Sequence, residues 1–276
     1  MVKKRYLLIP TFLISFASAE ITNLSEAINK SNQQKILSQL ILKDMAMVKS
    51  ENFYDNPYED FDIAVEKFEN NLNDLLKFNK NSKTKKDLLS LKKKWEIIQN
   101  IFEDDDDEDD DDEETSKLKV NKEENIKSMI QLEKKLNNLL ILTEKINKDF
   151  ISQNKGKSKK IINVIDEQIM LSQRMAALYL IKSLGADNKD ISEKLNISIS
   201  EFKNGLDILK NESLNNKEIK KSIQKVEKSF VFFEVMNKTS NKFIPTLIYK
   251  KSKIIYKNMN NIRDEYLKIE EEIQNG

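Results

Sequence analysis

The stretch Gln168-Ile169-Met170-Leu171-Ser172-Gln173-Arg174-Met175-Ala176 repeats an earlier segment, Gln34-Lys35-Ile36-Leu37-Ser38-Gln39, at a separation of 134 positions (172 − 38). The dipeptides Ile28-Asn29 and Ile162-Asn163 precede the two segments at the same offset. Downstream, the same offset of 134 relates four further pairs: Phe68 and Phe202, Asn70 and Asn204, Leu72 and Leu206, Leu75 and Leu209. After one inserted residue, Leu91 aligns with Val226, and Trp95 aligns with Phe230. Chance rarely preserves one register over about fifty residues, so the sequence predicts a tandem duplication of a small domain.

The N-terminal residues 1–19 have the features of a secretory signal peptide. A basic start at residues 3–5 precedes an apolar run over 6–16, and Ala17-Ser18-Ala19 offers the small-x-small pattern that signal peptidase cleaves. A retained membrane anchor would need about twenty apolar residues. We therefore expect cleavage after Ala19 and a soluble, periplasmic mature chain that begins at Glu20 and carries no transmembrane anchor.

The chain contains no cysteine and no histidine. Without cysteine, no disulfide framework can form in an oxidising compartment. Without either residue, the chain lacks the usual zinc ligands, the Ser–His and Cys–His pairs of nucleophilic catalysis, and the usual general base near neutral pH. No spacing of carboxylates indicates catalysis. We therefore expect that the protein is not an enzyme and holds no metal or cofactor.

The composition predicts an all-α fold. The mature chain has few glycines and prolines and is rich in Lys, Glu, Leu, Ile and Asn, which favours helices over turns and sheets. Apolar residues recur at three- and four-residue steps, as at Phe68, Leu72 and Leu75. Short connections between long helices imply antiparallel neighbours, so we expect two tandem antiparallel four-helix bundles. The first spans residues 20–154, and the second spans residues 155–276.

Four helices are expected in each half. Their predicted ranges are 22–50, 57–78, 83–103 and 120–154 in the first half and 158–184, 188–211, 215–240 and 244–274 in the second. Pro57 suits the first turn of a helix after the cap candidates Asp55-Asn56. Gly185 suits the end of a helix, and Pro245 suits the first turn of the last one. Around Gly156, a continuous helix would join the bundles end to end, whereas a break would let them pack side by side.

Residues 103–114 are twelve consecutive carboxylates without a counterpart in the second half. Such a run repels itself, so we expect a disordered, solvated insertion. A weak site for calcium or a polycation is the alternative, although the spaced carboxylates and central glycine of an EF-hand are missing. Outside this run and the signal peptide, 44 basic (47 − 3) and 34 acidic (46 − 12) residues remain, so the body of the protein is basic. Such a surface could face anionic lipid or cell-wall polymer, whereas the compartment makes nucleic acid an unsuitable partner.

The segment Gln168-Ile169-Met170-Leu171-Ser172-Gln173-Arg174-Met175-Ala176-Ala177-Leu178-Tyr179-Leu180 resembles the signature of a sensor family. It is similar to the N-terminal domain of type IV pilus methyl-accepting chemotaxis transducers (the PilJ type), which is related to the periplasmic sensor of the NarX and NarQ nitrate and nitrite kinases. The second half keeps more of the family pattern than the first, and the resemblance covers nearly all of the mature chain as two copies. It implies a helical, extracytoplasmic sensing module.

In the nitrate sensors that the chain resembles, an arginine of the first helix, contributed by each subunit of a dimer, holds the anion. By position, the resemblance places this residue at Lys35 in the first half and at Ile169 in the second. Lys35 keeps a positive charge but lacks the planar fork that suits nitrate. Arg174 keeps a second arginine of the motif, whose counterpart is Leu40. Family receptors carry a transmembrane helix and a signalling region after the sensor, so we expect this chain to act with a membrane receptor, its halves pairing as a pseudo-dimer or stacking end to end.

The candidate ligand-binding residues are polar positions of the repeated motif: Asn29, Lys35, Ser38, Gln39, Asn163, Ser172, Gln173 and Arg174. Lys35 lies on the same helical stripe as Ile28 and Leu42, so its ammonium needs a ligand, a glutamate of a neighbouring helix, or a path to water along its stem. For the serines, glutamines and asparagines the alternative is hydrogen bonding between helices, and for Arg174 it is an interhelical ion pair. The large apolar side chains of the motif and its downstream elements are expected in the core: Trp95, Met170, Met175, Tyr179 and Phe230.

Two functions fit these features, and the repeated motif, with its polar residues inside a helical bundle, favours the first over the alternative. The first is an exported, sensor-like protein that binds a small anion or metabolite between its helices and presents it to a membrane receptor. The second is a structural or protein-interaction module that binds another protein of the cell envelope through its helical faces and acidic run. A ligand-sized polar cavity near Lys35 or Arg174 would favour the first function, whereas the lost cation at Ile169 favours the second.

Overall fold

The computed structural model describes residues 21–104, 114–153, 160–186, 189–238 and 244–275, with side chains for all of these except 103–121 and 274–275. The predicted signal peptide, most of the acidic run and the junction around Gly156 lie outside the described residues. Cleavage after Ala19 and the solvated insertion at 103–114 therefore stay predictions.

The described residues form eight α-helices and no β-strand, which confirms the predicted all-α class. The helices are α1 (Leu24–Lys49), α2 (Pro57–Phe78), α3 (Ser82–Asp104), α4 (Glu114–Gln153), α5 (Lys160–Ser183), α6 (Lys189–Lys210), α7 (Lys217–Lys238) and α8 (Pro245–Asn275). The predicted ranges agree within a few residues, apart from the earlier start of α4. Pro57 and Pro245 are the first residues of their helices, and Gly185 lies just after α5, as predicted.

The two helices that carry the repeated motif, α1 and α5, lie at the centre of the protein. α1 contacts α2, α4 and α5, whereas α5 contacts α1, α6 and α8. In the first half α3 packs on α4 and α2, and in the second half α7 packs on α8 and α6. Each half is therefore a group of four helices in which one helix, α3 or α7, lies at the periphery. Because α1 packs along α5, the two halves lie side by side and are not stacked end to end.

The central helices α1 and α5 run in the same direction. Three side-chain contacts join them in the same order along both helices: Asn32 with Asp166, Lys35 with Glu167, and Lys43 with Gln173. The first of these contacts connects two positions that are equivalent under the 134-residue offset. Equivalent positions that meet on parallel helices indicate an approximate two-fold axis between the halves. The chain therefore has the arrangement of an intramolecular pseudo-dimer.

The two halves share one hydrophobic core. Buried apolar side chains from all eight described helices form one contiguous cluster. At equivalent positions each half packs two aromatic rings, with a centroid separation of 4.3 Å for Phe68 and Trp95 and of 4.7 Å for Phe202 and Phe230. The side chains expected in the core are all buried: Trp95, Met170, Met175, Tyr179 and Phe230. Because neighbours cover α1 and α5 on several sides, buried residues occupy most faces of both helices, and those of α1 include many polar and charged side chains.

The chain leaves α1 and α5 through the same backbone turn but with different residues. In both places two hydrogen bonds close a Schellman motif, from Glu51 and Asn52 after α1 and from Gly185 and Ala186 after α5. The residue in the left-handed conformation is Glu51 (φ 53°) in the first half and Gly185 (φ 113°) in the second. A side chain in this conformation costs roughly 1–2 kcal/mol, because its Cβ approaches the following carbonyl oxygen. The duplicated fold thus keeps a turn for which glycine is the unstrained residue.

Replacing Glu51 by glycine is expected to stabilise the protein by roughly 0.5–1 kcal/mol, because it removes this steric cost from the turn after α1. Urea denaturation measures the change in the free energy of unfolding. Gly185→Ala is the matched opposite change and is expected to destabilise, since its new Cβ would also lie 3.2 Å from Cδ1 of Ile126. A loss of stability in Glu51→Gly would contradict the strain assigned to this turn.

Gly205 of α6 leaves room for the side chain of Gln168 on α5, with which a Cβ at this position would clash. Gly205→Ala is therefore expected to destabilise the protein by about 1–3 kcal/mol, although alanine is the better helix former by about 1 kcal/mol. Thermal unfolding compares this variant with Glu201→Ala, an exposed position on the same helix. Equal melting temperatures for the two variants would show that Gln168 does not fill the space at Gly205.

Candidate functional site at the contact of the central helices

Polar side chains of α1 and α5 meet where the two helices touch, and we call this group the polar seam: Asn32, Lys35, Lys43, Asp166, Glu167 and Gln173. The donor–acceptor distances are 2.9 Å for Asn32–Asp166, 2.9 Å for Lys35–Glu167 and 3.1 Å for Lys43–Gln173. All of these residues except Glu167 are buried, so they depend on one another rather than on water. The seam contains two of the predicted candidates, Lys35 and Gln173.

Lys35 is buried, as its position on the core-facing stripe predicts. Its Nζ lies 2.9 Å from Oε2 of Glu167, whose side chain is 38% exposed. Of the three alternatives left by the sequence, the structure therefore has the glutamate of a neighbouring helix. A second carboxylate, Glu144 of α4, lies in the same surroundings: burial raises the pKa of Glu144, and the negative charge of Glu167 raises it further, against the opposing effect of Lys35. The charge of Lys35 is thus met by carboxylates of the protein itself.

The two Ser-Gln pairs of the motif make the same local bonds in both halves. The hydroxyls of Ser38 and Ser172 each donate, at 2.7 Å, to the backbone carbonyl three residues earlier. The amide of each glutamine donates to the hydroxyl of the preceding serine, at 3.1 Å for Gln39 and 2.9 Å for Gln173. The serines thus bond within their own helices rather than between helices. Gln173 also reaches α8, where its amide lies 3.3 Å from the carbonyl oxygen of Ser252.

The remaining candidates lie elsewhere along the central helices. Arg174 Nη2 donates at 2.9 Å to Oδ1 of Asn137 on α4, an interhelical bond to an amide where the sequence suggested an ion pair. Asn29 accepts a hydrogen bond from Arg263 of α8. Asn163 is half-buried on α5. The eight candidates are therefore spread along α1 and α5 instead of surrounding one space.

Asp166 is a buried member of the polar seam that sequence reasoning missed. Its carboxylate accepts hydrogen bonds from Arg263 Nε at 2.8 Å and from Asn32 Nδ2 at 2.9 Å. Burial raises the pKa of Asp166, and the charge of Arg263 opposes this effect. Because Arg263 also donates to Asn29, it connects α8 with both central helices. No spacing in the sequence relates an aspartate of the repeat to an arginine of the last helix.

Sequence reasoning also missed a second polar group, which lies where α1, α2 and α8 meet. We call it the Asp44 cluster: Lys43, Asp44, Asp55, Asp60, Tyr249 and Lys253. Tyr249 Oη lies 2.9 Å from Asp44 Oδ1 and 3.0 Å from Asp60 Oδ2. Lys253 Nζ lies 2.7 Å from a carboxylate oxygen of both Asp55 and Asp60. Lys43 Nζ lies 3.3 Å from Asp44 Oδ1 and 4.6 Å from the ring centroid of Tyr249. The signal in the sequence was the charged pair Lys43-Asp44 within the otherwise apolar run 41–47.

A similar contact with the charges reversed joins the second helix of the second half to the last helix of the first half. Lys194 of α6, which is 134 positions after Asp60 (194 − 60), pairs with Glu133 of α4 at 2.8 Å. The second helix of each half thus contacts the last helix of the other half. These contacts extend the junction of the halves beyond the central helices.

None of the candidates lines either of two concavities in the described part of the chain. One concavity is an open surface depression lined by Lys217, Lys220, Lys221 and Gln224. The other is a narrow gap between mostly apolar side chains, lined by Met45, Lys49, Ile101, Phe102, Ser128, Met129 and Leu132. The described side chains include no group of three or more carboxylates placed to hold a metal ion. Within the same part of the chain, no helix is both long and apolar enough to cross a membrane.

Arg263→Met is expected to destabilise the protein by about 3 kcal/mol, because it leaves Asp166 buried without its cation. Adding Asp166→Asn is expected to restore part of the loss, since a neutral amide needs no counter-charge. Urea denaturation of both variants measures the two effects. Lys268→Met is the matched control on α8: it removes an exposed ion pair with Glu265 and is expected to change stability much less. Equal losses in Arg263→Met and Lys268→Met would contradict the role given to Arg263.

Comparison of the chain with protein-family models, with curated proteins and with solved structures gave no match. The resemblance to the pilus transducer family therefore rests on the sequence motif alone. A function for this protein has to be argued from its own contacts.

Proposed function

We propose that this protein is an exported, non-enzymatic helical module that acts through contact with another protein of the cell envelope. The observation that carries the proposal is the ion pair between Lys35 and Glu167. At the position where the family resemblance expects a cation for a ligand, the positive charge is already met by the other half of the same chain. A small ligand would have to replace these bonds, which lowers the net gain from binding it.

In this proposal the duplication replaces the dimer of the receptors that the chain resembles. Those receptors bring two first helices together from two subunits, whereas α1 and α5 come from one chain. A single chain with a fixed junction offers a partner one preformed surface, and association does not depend on the concentration of a second copy. The duplicated motif then serves the junction of the halves, and other parts of the chain bind the partner.

The surface that best fits a partner is the loop between α1 and α2, residues 50–56, which we call the aromatic loop. Two of its residues are exposed aromatics, Phe53 at 56% and Tyr54 at 39% of the residue surface. Phe53 also stacks on Tyr58, with 5.7 Å between the ring centroids. Aromatic side chains are enriched at protein interfaces and often dominate their binding energy. The equivalent connection after α5 has no aromatic residue in its described part, 184–186, so the feature belongs to the first half.

The aromatic loop has a defined shape. Three of its residues other than glycine have positive φ angles: Glu51 (53°), Asp55 (60°) and Asn56 (54°). Two contacts to α8 hold the loop, one from Asn52 Nδ2 to Thr246 Oγ1 at 2.9 Å and one between Asp55 and Lys253 at 2.7 Å. Such backbone strain persists where surrounding contacts impose it, and it is frequent at functional sites. A loop that is already ordered loses little conformational entropy when it binds.

A sensor of a small anion or metabolite is the second candidate function, and one observation favours it. Glu167, the partner of Lys35, is 38% exposed at its side chain, so an anion from solvent could take its place beside the lysine. Such a protein would report the ligand to a membrane receptor through the contact between α1 and α5.

Thermal unfolding of residues 20–276 in the presence of small molecules separates the two functions. We expect no change in the melting temperature with nitrate, nitrite, other small anions, amino acids or calcium. A ligand at a hundredfold excess over its Kd would stabilise the folded state by about 2.7 kcal/mol, which such a measurement detects. A dose-dependent rise that is lost in Lys35→Ala would contradict the interaction module and support the sensor.

Photo-crosslinking in cells tests the aromatic loop directly. A crosslinking residue in place of Tyr54 is expected to give a discrete product with another envelope protein, and Phe53→Ser is expected to lower its yield. Ile208 of α6, which is 51% exposed, provides the matched control position in the other half. Equal yields of product from positions 54 and 208 would contradict a binding role for the loop.

A further inference from the structure

The Asp44 cluster carries more negative than positive charge when all of its carboxylates are ionised. Two lysines and three aspartates face one another in it: Lys43, Lys253, Asp44, Asp55 and Asp60. These groups come from α1, from the aromatic loop, from α2 and from α8, and the contact from α5 is the neutral amide of Gln173. One bound proton makes the cluster neutral. Solvent screens part of the excess negative charge, because the side chain of Asp55 is 54% exposed, so a bound proton lowers the electrostatic cost mainly at the buried Asp44.

The hydroxyl group of Tyr249 shows where this proton is needed. Its oxygen lies within hydrogen-bond distance of two carboxylates, 2.9 Å from Asp44 Oδ1 and 3.0 Å from Asp60 Oδ2. A phenol has one proton and can donate to only one of them. If both carboxylates were ionised, Tyr249 Oη would donate to one of them. It would then face the oxygen of the other at about 3 Å with no hydrogen between the two oxygens. A proton on one carboxyl group satisfies both contacts.

Asp44 is the carboxyl group that suits this proton. Its side chain is completely buried, and its second oxygen, Oδ2, has no hydrogen-bond partner among the described residues. Burial raises the pKa of Asp44, and the neighbouring Lys43 only opposes this effect. Lys43 has a second acceptor, Gln173 Oε1, at 3.1 Å. Asp60, by contrast, is 34% exposed and lies 2.7 Å from the ammonium of Lys253, so the negative charge resides there.

We propose that Asp44 is a proton-binding site at the junction of the two halves. In the protonated state Asp44 Oδ1–H donates to Tyr249, and the hydroxyl of Tyr249 donates to Asp60. Release of the proton leaves two carboxylates, Asp44 and Asp60, around the single proton of the Tyr249 hydroxyl. The first half supplies both aspartates, whereas the second half supplies Tyr249 and Lys253. A rise in pH therefore weakens the contact between the halves. This inference does not depend on the proposed function.

The sign of the pH dependence follows from the linkage between proton binding and folding. Between the ordinary aspartate pKa of 3.8 and the raised pKa of folded Asp44, the folded chain keeps a proton that the unfolded chain has lost. The contribution of Asp44 to stability is therefore complete below that ordinary value, and it is lost as the pH rises through the pKa of the folded state.

Asp44→Asn tests the proposal because the amide has the shape of the protonated carboxyl group and cannot ionise. Melting temperatures of the variant and of unsubstituted residues 20–276 are expected to agree near pH 4. At pH 7 to 8 the variant is expected to melt higher, by roughly 2–4 °C or more. Asp87→Asn is the control at another aspartate: it removes the ion pair with the exposed Lys145 and is expected not to raise the melting temperature at any pH.

A second measurement detects the proton itself. Carboxyl carbon NMR of aspartate-labelled protein is expected to show a carboxyl group that titrates above the ordinary aspartate range and is missing in Asp44→Asn, whereas the signal of the buried Asp166 remains in the variant. The proposal is overturned if no such signal disappears in the variant. It is also overturned if Asp44→Asn melts below the unsubstituted protein at pH 7 to 8, because the folded carboxyl group would then be ionised and stabilising.

Discussion

The fold depends on the burial of α1 and α5 against each other. Neighbouring helices cover most of both, so each polar group on them must bond to another protein group or bear the cost of its desolvation. The polar seam meets this condition with contacts between the halves from Asn32, Lys35 and Lys43. Hydrogen bonds have directions, so these contacts fix the register of one helix on the other more strictly than apolar packing does. A shift by one turn would leave charges unpaired inside the protein, which is costly.

The two halves kept a common backbone while their side chains diverged. The left-handed turn after the first helix of each half persists, although its residue is Gly185 in one half and Glu51 in the other. Where the halves contact each other, equivalent positions carry opposite charges, since Asp60 faces a lysine of α8 and Lys194 faces a glutamate of α4. Such divergence favours pairing between the unlike halves over pairing between two like ones, because like halves would bring equal charges together.

The proposed partner surface and the proposed proton site share one residue. Lys253 binds Asp55 of the aromatic loop and Asp60 of the Asp44 cluster with the same ammonium group. A change in the charge of the cluster therefore acts on a contact that holds the loop. Lys35 is related to the junction in a similar way, since a ligand could reach it only by displacing Glu167 of the other half. In both cases binding is coupled to the contact between the halves through a shared ion pair.

From composition, periodicity and the positions of proline and glycine, the sequence predicted the helical class, the approximate ends of most helices, the duplication and the apolar core. It also placed Lys35 on a buried stripe, but it left three alternatives for the lysine ammonium: a ligand, a glutamate of a neighbouring helix, or a path to water. The packing of the helices showed that Glu167 is the partner of Lys35, that the halves lie side by side, and that Asp44 and Asp166 are buried beside Tyr249 and Arg263. The physical reason is that periodicity fixes which face of a helix is buried, whereas the partner of a buried charge depends on how distant helices pack and turn toward one another.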